Sequence, residues 1–214
     1  MLNVAEAIRR RRSIRSFKSI PVTHDMIFEM LEAARLAPSA SNSQPWRFVV
    51  VTDPEEKKEL RRLCFNQAFV EEAGVDFVIC ADLSWYSKES YQKRRQESID
   101  AGLVLASTVD ESAYQRYLDS ISSDVTQQIT PATANTYIAA EHIVLMATAL
   151  GLGSCWVGGI SSYKAIRDLL GIARGIMVLG VIAVGYSNQE PQSRPRLPLE
   201  GILLRPFPEP PDAK

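Results

Sequence analysis

Apolar residues recur at helical spacing at the start of the chain. Residues 3 to 12 put Val4, Ala5 and Ile8 on one side of a short helix. A second helix, Thr23 to Leu36, carries Met26, Ile27, Met30, Leu31 and Ala34 on one side and is stopped by Pro38. The pattern then becomes a continuous β-rich run, and Trp46 to Thr52 reads as a buried strand. Asp53-Pro54-Glu55-Glu56 supplies an N-cap, a first-turn proline and a capping-box acid, which predicts a helix to about Cys64. Asp76 to Ala81 is a second short strand. Residues 84 to 130 break the pattern: Lys88 to Glu97 is highly charged and Ser120 to Thr130 is polar, so helical pieces with a mobile, lid-like connection are expected there. Helical spacing returns in an Ala-rich helix from Thr133 to Leu150, with Ile138, Ile143, Met146 and Leu150 facing the core and Gly151 ending it. A shorter helix near Ser162 to Leu170 and a final strand from Ile176 to Tyr186 complete the regular elements.

Residues 191–214 hold seven of the chain's twelve prolines and read as an extended arm, since proline suits neither a compact helix nor a central strand. Its aliphatic and aromatic residues, Leu199, Ile202, Leu203, Leu204 and Phe207, need something to cover. Helices alternating with four or five short strands predict an α+β or α/β fold, and 214 residues at 46% hydrophobic content suffice for one domain over the whole length. The net charge of −1 lacks the global basic field of a nucleic-acid binder. Cys64, Cys80 and Cys155, with His24 and His142, show no metal-ligand or disulfide spacing, which fits a reducing cytoplasm. No apolar stretch reaches membrane-spanning length, so no membrane partner is expected.

Two clusters carry candidate chemistry. Arg9-Arg10-Arg11-Arg12-Ser13-Ile14-Arg15 has the composition of an anion clamp, because guanidinium forks and a hydroxyl give phosphate several directional donors. The run from Ala37 to Phe48 packs small polar side chains between Pro38 and Pro45, a stiff loop suited to something flat and polar. The turn at Gly151-Leu152-Gly153-Ser154 is not a dinucleotide fingerprint, since it lacks the G-x-G-x-x-G spacing between strand and helix.

Four segments in order carry a family resemblance: Arg11-Arg12-Ser13-Ile14-Arg15, Pro38-Ser39 through Asn42-Ser43-Gln44-Pro45-Trp46, Gly151 through Gly159, and Arg194-Pro195-Arg196. With them the chain resembles the FMN-dependent nitroreductases and flavin reductases over most of its length, except residues 84 to 130. The resemblance implies a mixed central sheet flanked by helices and a homodimer whose terminal arm reaches across the partner. It further implies FMN as bound cofactor, NADH or NADPH as donor and a small-molecule acceptor such as a nitroaromatic, a quinone or another flavin. Arg11, Arg12, Ser13 and Arg15 would take the phosphate, with Arg194 and Arg196 completing the phosphate and ribityl site. Pro38, Ser39 and Asn42 would contact the flavin, from the other subunit. Asn66 would read the pyrimidine edge, and Trp156, Val157, Gly158 and Gly159 would run beside the isoalloxazine, the Gly158 N–H facing N5. Several relatives carry an acidic side chain where Gly158 stands here.

Bland readings stand beside these. Arg-rich stretches are usually solvated faces, Ser39 and Asn42 are ordinary turn residues, Asn66 is a surface asparagine and Trp156 a core tryptophan. Gln44 and Trp46 are expected to tie the loop to the sheet, Cys155 to be a buried inert thiol, and His142 to be packed or at an interface. No dedicated catalytic acid or base is expected, because the cofactor would carry the chemistry. The rivals are specialised flavin chemistry on the same fold, such as reductive dehalogenation or flavin breakdown, and a non-enzymatic anion-binding module.

Overall fold

The computed structural model describes residues 2–103 and 110–205. Among these described residues eight α-helices and four strands follow in chain order. They are α1 (Val4–Arg10), α2 (His24–Arg35), β1 (Trp46–Val51), α3 (Pro54–Leu63), α4 (Ala68–Glu72), β2 (Val75–Asp82), α5 (Lys88–Asp100), α6 (Glu111–Ser123), α7 (Val125–Ala149), β3 (Gly153–Val157), α8 (Tyr163–Leu169) and β4 (Ile176–Gly185).

The strands order as β1-β2-β4-β3, and each neighbouring pair is antiparallel. The expected mixed sheet is met only by an isolated parallel bridge between Ser13 and Ser154. Alternation along the two central strands builds a layer of side chains on each face. Val75, Phe77, Ile79, Ile182 and Val184 pack with Met30 and Ala34 of α2 and Ala139, Ala140 and Ile143 of α7. Val78, Cys80, Val181 and Ala183 pack on the other face with Leu60, Val70 and Ile166 from α3, α4 and α8. Helices thus cover both faces of the sheet.

Capping explains most helix starts. Asn3 and Glu6 form a reciprocal capping box on α1, Thr23 caps α2, Asp53 accepts from the N–H groups of Glu55 and Glu56 ahead of α3, and Ser162 caps α8. The apolar face of α1 is open, with Val4 and Ile8 72% and 58% exposed. One expectation about faces fails: Ile138 of α7 is exposed rather than core-facing. The α7 helix also begins eight residues earlier than the pattern from Thr133 suggests. Asp124 caps it by accepting from Thr126 N–H, and Pro131 is accommodated inside.

The segment from 84 to 130 does hold helical pieces. Tyr86, Tyr91, Leu118, Ile121 and Ala132 form a small core of their own under α5 and α6. The connection expected to be mobile includes residues 104–109, which lie outside the described residues, as does Phe207 of the arm. From residue 191 the arm runs without regular structure to a single 3-10 turn at Leu199–Ile202.

Candidate cofactor site

The arginine cluster leaves the end of α1 as an extended segment docked on β3. Ile14 N–H donates to the Ser154 carbonyl oxygen at 2.9 Å, and this bond closes the Ser13–Ser154 bridge. The docking requires Gly153, because a Cβ there would lie 2.5 Å from Ile14 Cγ1. One guanidinium nitrogen of Arg12 donates to the carbonyls of Arg9 and Arg11 at 2.7 and 2.8 Å. These bonds satisfy carbonyls at the helix end and fix the side chain.

From the other end of the chain, residues 189–196 return to the same place, held by Asn188 N–H donating to the Ser16 carbonyl at 3.0 Å. A cavity of about 220 Å³ forms between the two segments, lined by Arg11, Arg12, Ser13, Arg15, Arg194 and Arg196 together with Gln189, Pro191, Gln192 and Ser193. Its lining holds five arginines and no carboxylate. None of the five pairs with an acid among the described residues. Glu190 stands between the lining residues Gln189 and Pro191 and borders the adjoining cavity, and half-buried Glu141 of α7 has its carboxyl pushed upward by burial against the downward pull of Arg11. Like charges gathered without counter-charge call for an anion, and forked donors from two directions suit a phosphate.

Beyond this cavity β3 leads out through Trp156 and Val157 to Gly158 and Gly159. A Cβ at Gly158 would meet nothing within 4 Å, so the backbone borders open space there. A Cβ at Gly159 would come within 3.1 Å of the Phe65 ring. Phe65 and Asn66 form the turn after α3, both left-handed with φ of 52° and 56°. Ser161 N–H donates to the Leu63 carbonyl at 2.8 Å, tying the β3 exit to this turn. Asn66 and the Trp156–Gly159 segment therefore share one end of the sheet.

Pro38, Ser39 and Asn42 are not brought to the arginine cavity. Their loop lies against α5 and α7, where Asn42 and Gln44 line a separate cleft with Trp85 and Arg94. Ser41, Asn42 and Gln44 have φ of 52°, 50° and 44°. With Phe65 and Asn66 they are all the left-handed non-glycine residues among the described residues. Each costs about 1 kcal/mol or more, a strain that surrounding contacts must hold. Ser39 Oγ accepts from Gln44 N–H at 3.0 Å and the Gln44 amide bonds to Asn42 Oδ1 at 3.0 Å, which ties the loop to itself, while the Gln44 carbonyl accepts from Arg47 Nη1 of β1 at 3.1 Å and ties it to the sheet. Trp46 is buried at the start of β1, as expected.

The family model described as "Nitroreductase family" matches residues 8–186. The chain belongs to the nitroreductase family. It is 36% identical over 205 residues to a Thermus thermophilus protein named NADH dehydrogenase, covering 95% of this chain and 96% of that one. Its identity to the NADPH-flavin oxidoreductase of Vibrio harveyi is 30% over 204 residues, covering 95% and 73% of the two chains. The solved structure of the Vibrio harveyi NADPH:FMN oxidoreductase in complex with NAD+ superposes with a TM-score of 0.73 at 28% identity, covering 97% of this chain and 79% of that one.

Several residues of this family member that hold the 39–44 loop were not visible in its sequence. Asn135, buried in α7, accepts from Ala40 N–H at 3.1 Å and donates to the Tyr86 hydroxyl at 2.7 Å, which in turn pairs with buried Ser43 at 3.1 Å. An asparagine inside an Ala-rich apolar helix is the one signal that could have pointed to it. Arg94 and Tyr86 sit in the stretch that gave no pattern.

The thiols fit the inert reading. All three cysteines are free and buried, burial pushes Cys64 and Cys80 up to about 12, and it raises Cys155 against the opposing charges of Arg15 and Arg11. His142 is packed, with Nδ1 2.9 Å from the Ala33 carbonyl oxygen. No group of three or more metal-ligating side chains forms among the described residues.

Proposed function

We propose that the chain is an FMN-dependent NAD(P)H oxidoreductase that delivers electrons to a nitroaromatic, quinone or flavin acceptor, donor and acceptor using the site in turn in a ping-pong order. The observation that carries the proposal is the carboxylate-free cavity into which both ends of the chain bring arginines. When bound, FMN supplies a carrier that takes hydride from a nicotinamide and passes electrons on. The chain's residues do the holding. Arg11, Arg12, Ser13, Arg15, Arg194 and Arg196 would take the phosphate, the open backbone at Gly158 admits a flat ring, and left-handed Asn66 stands at the same end of the sheet. Family membership and the flavin-reductase relatives support the same reading.

The active form is read as a homodimer of one-domain protomers, with Pro38, Ser39 and Asn42 serving the partner's site. Support comes from apolar surface left open. Val4, Ile8 and Ile138 are exposed, a groove of about 280 Å³ is lined by Leu2, Val4, Ala7, Leu145 and Met146, and Leu197, Leu199, Ile202 and Leu204 of the arm are exposed as well. Among the described residues no helix is long and apolar enough to cross a membrane. The three unpaired cysteines suit a cytoplasmic location.

The test begins with the absorbance spectrum of the purified protein and a calorimetric titration of apoprotein with FMN. Arg12→Ala and Arg196→Ala are expected to weaken binding by about 1.5–3 kcal/mol each, the scale of a charge-assisted hydrogen bond. Unchanged affinity in both variants removes the phosphate assignment.

A further inference from the structure

Outside the arginine cavity, Arg94 has an environment that the proposed function leaves unexplained. It lies on α5, is only 5% exposed, and two of its three guanidinium nitrogens have no hydrogen-bond partner among the described residues. No carboxylate among the described residues pairs with it. Its guanidinium carbon sits 4.7 Å from the Tyr91 ring centroid and 5.9 Å from that of Trp85, so two aromatic faces stand where counter-charge would normally be. Burying a cation this way is a poor route to stability, and an apolar side chain of similar volume would pack there at no loss. The one directional bond the side chain makes is therefore informative. Arg94 Nε donates at 3.1 Å to the carbonyl oxygen of Ser41, 53 residues earlier in the chain.

Ser41 is the first of the three left-handed residues in the 39–44 loop. Asn135 holds the peptide on one side of it, at Ala40 N–H, and Ser43 is held on the other by Tyr86. Among the described residues only Arg94 holds the Ser41 carbonyl itself. The helix that presents it, Lys88–Asp100, is polar nearly all round and buries only Tyr91 and Arg94. Position of the helix and shape of the loop thus meet at one hydrogen bond.

We propose that Arg94 is a positioning residue that clamps Ser41 in its left-handed conformation and so shapes the loop carrying Ser39 and Asn42 for FMN. The assignment of that loop to FMN rests on the proposed function; the clamp itself does not. The planar guanidinium is suited to the task because it can lie between two rings while its Nε points along the plane to the carbonyl. A substrate or variant that displaces α5 acts on the loop through the same contact.

The experiment uses Arg94→Met, which keeps the apolar stem, and Arg94→Lys, which keeps a charged donor. In apoprotein, amide exchange at Asn42, Ser43 and Gln44 is expected to rise at least tenfold in Arg94→Met and less than threefold in Arg94→Lys. The FMN dissociation constant should rise about tenfold in Arg94→Met, with partial recovery in Arg94→Lys. The melting temperature of Arg94→Met apoprotein should hold or rise, which a merely structural arginine would not allow. Unchanged amide exchange in Arg94→Met overturns the clamp. Faster exchange with FMN affinity unchanged within twofold overturns its bearing on the cofactor. Failure of the native protein to bind FMN sinks the functional reading, while the exchange measurement still decides the clamp.

Discussion

Replacing Gly153 by alanine tests how the arginine cluster is seated. The added Cβ would stand 2.5 Å from Ile14 Cγ1, 3.0 Å from its Cβ and 3.2 Å from its Cγ2, roughly 1 Å inside the closest contact at the worst point. Turning the Ile14 side chain relieves the first and third approaches and leaves the second, because Cβ moves only with the backbone. Ile14 is 5% exposed and wedged in the core under β3, so its segment must slide off the strand and give up the Ile14 N–H to Ser154 bond. Overpacking costs about 1–3 kcal/mol and the lost bond about 1 kcal/mol, which sums to about 2–4 kcal/mol of folding stability. The shift also moves Ser13 and Arg15, the neighbours of Ile14, and FMN affinity should fall about tenfold or more, or ~1.4 kcal/mol. Urea denaturation of apoprotein and calorimetric FMN titration read the two effects. Adding Ile14→Ala to Gly153→Ala should recover part of the loss, since it removes the two Cγ atoms. Stability within 0.5 kcal/mol of the native chain, on the order of the method's error, together with unchanged FMN affinity would refute the account.

Deleting residues 197–214 should convert a dimer to a monomer, or to an aggregating species, in light scattering; a native chain that is monomeric with FMN bound removes the dimer reading. Cys155→Ala should retain NAD(P)H-dependent acceptor reduction within a few-fold, whereas a loss beyond about 100-fold at normal flavin content, about 2.7 kcal/mol, would make the thiol part of the chemistry. Asp76 lies fully buried in β2 with neither carboxylate oxygen hydrogen-bonded among the described residues, and burial raises its pKa well above the usual value against the pull of Lys57. A group that holds its proton more tightly when folded contributes stability below its unfolded pKa of about 4 and loses it as pH rises through the folded value. The stability of the native chain relative to Asp76→Asn should therefore fall from pH 4 to pH 8, and a flat difference contradicts a raised pKa.

The sequence was most legible where one local signal decides structure. Asp53 before Pro54 and Ser162 before Tyr163 mark helix starts because a capping side chain acts within three residues. The two arginine segments were legible as chemistry, but only the fold shows that they line one cavity. What could not be read depends on distant partners. Exposed Ile138 looked like core because periodicity reports an apolar stripe and not what covers it. The early start of α7 was hidden in the polar run from Ser120 to Thr130, which shows no apolar stripe, and the loop's anchors on Asn135 and Arg94 join residues 95 and 53 positions apart.

Five guanidiniums gathered without a carboxylate repel one another, and the folded chain bears that repulsion whenever the cavity holds no anion. Any phosphate-bearing ligand that settles there relieves it and raises the cost of unfolding by an amount set by its free concentration. Cofactor supply then becomes a determinant of how much protein survives. In a cell short of FMN the same polypeptide spends more time open to proteases, so its abundance would track riboflavin status with no change in its synthesis. Phosphate in a purification buffer would act in the same direction, giving a preparation that is stable in storage yet slow to take up flavin until the competing anion is dialysed away.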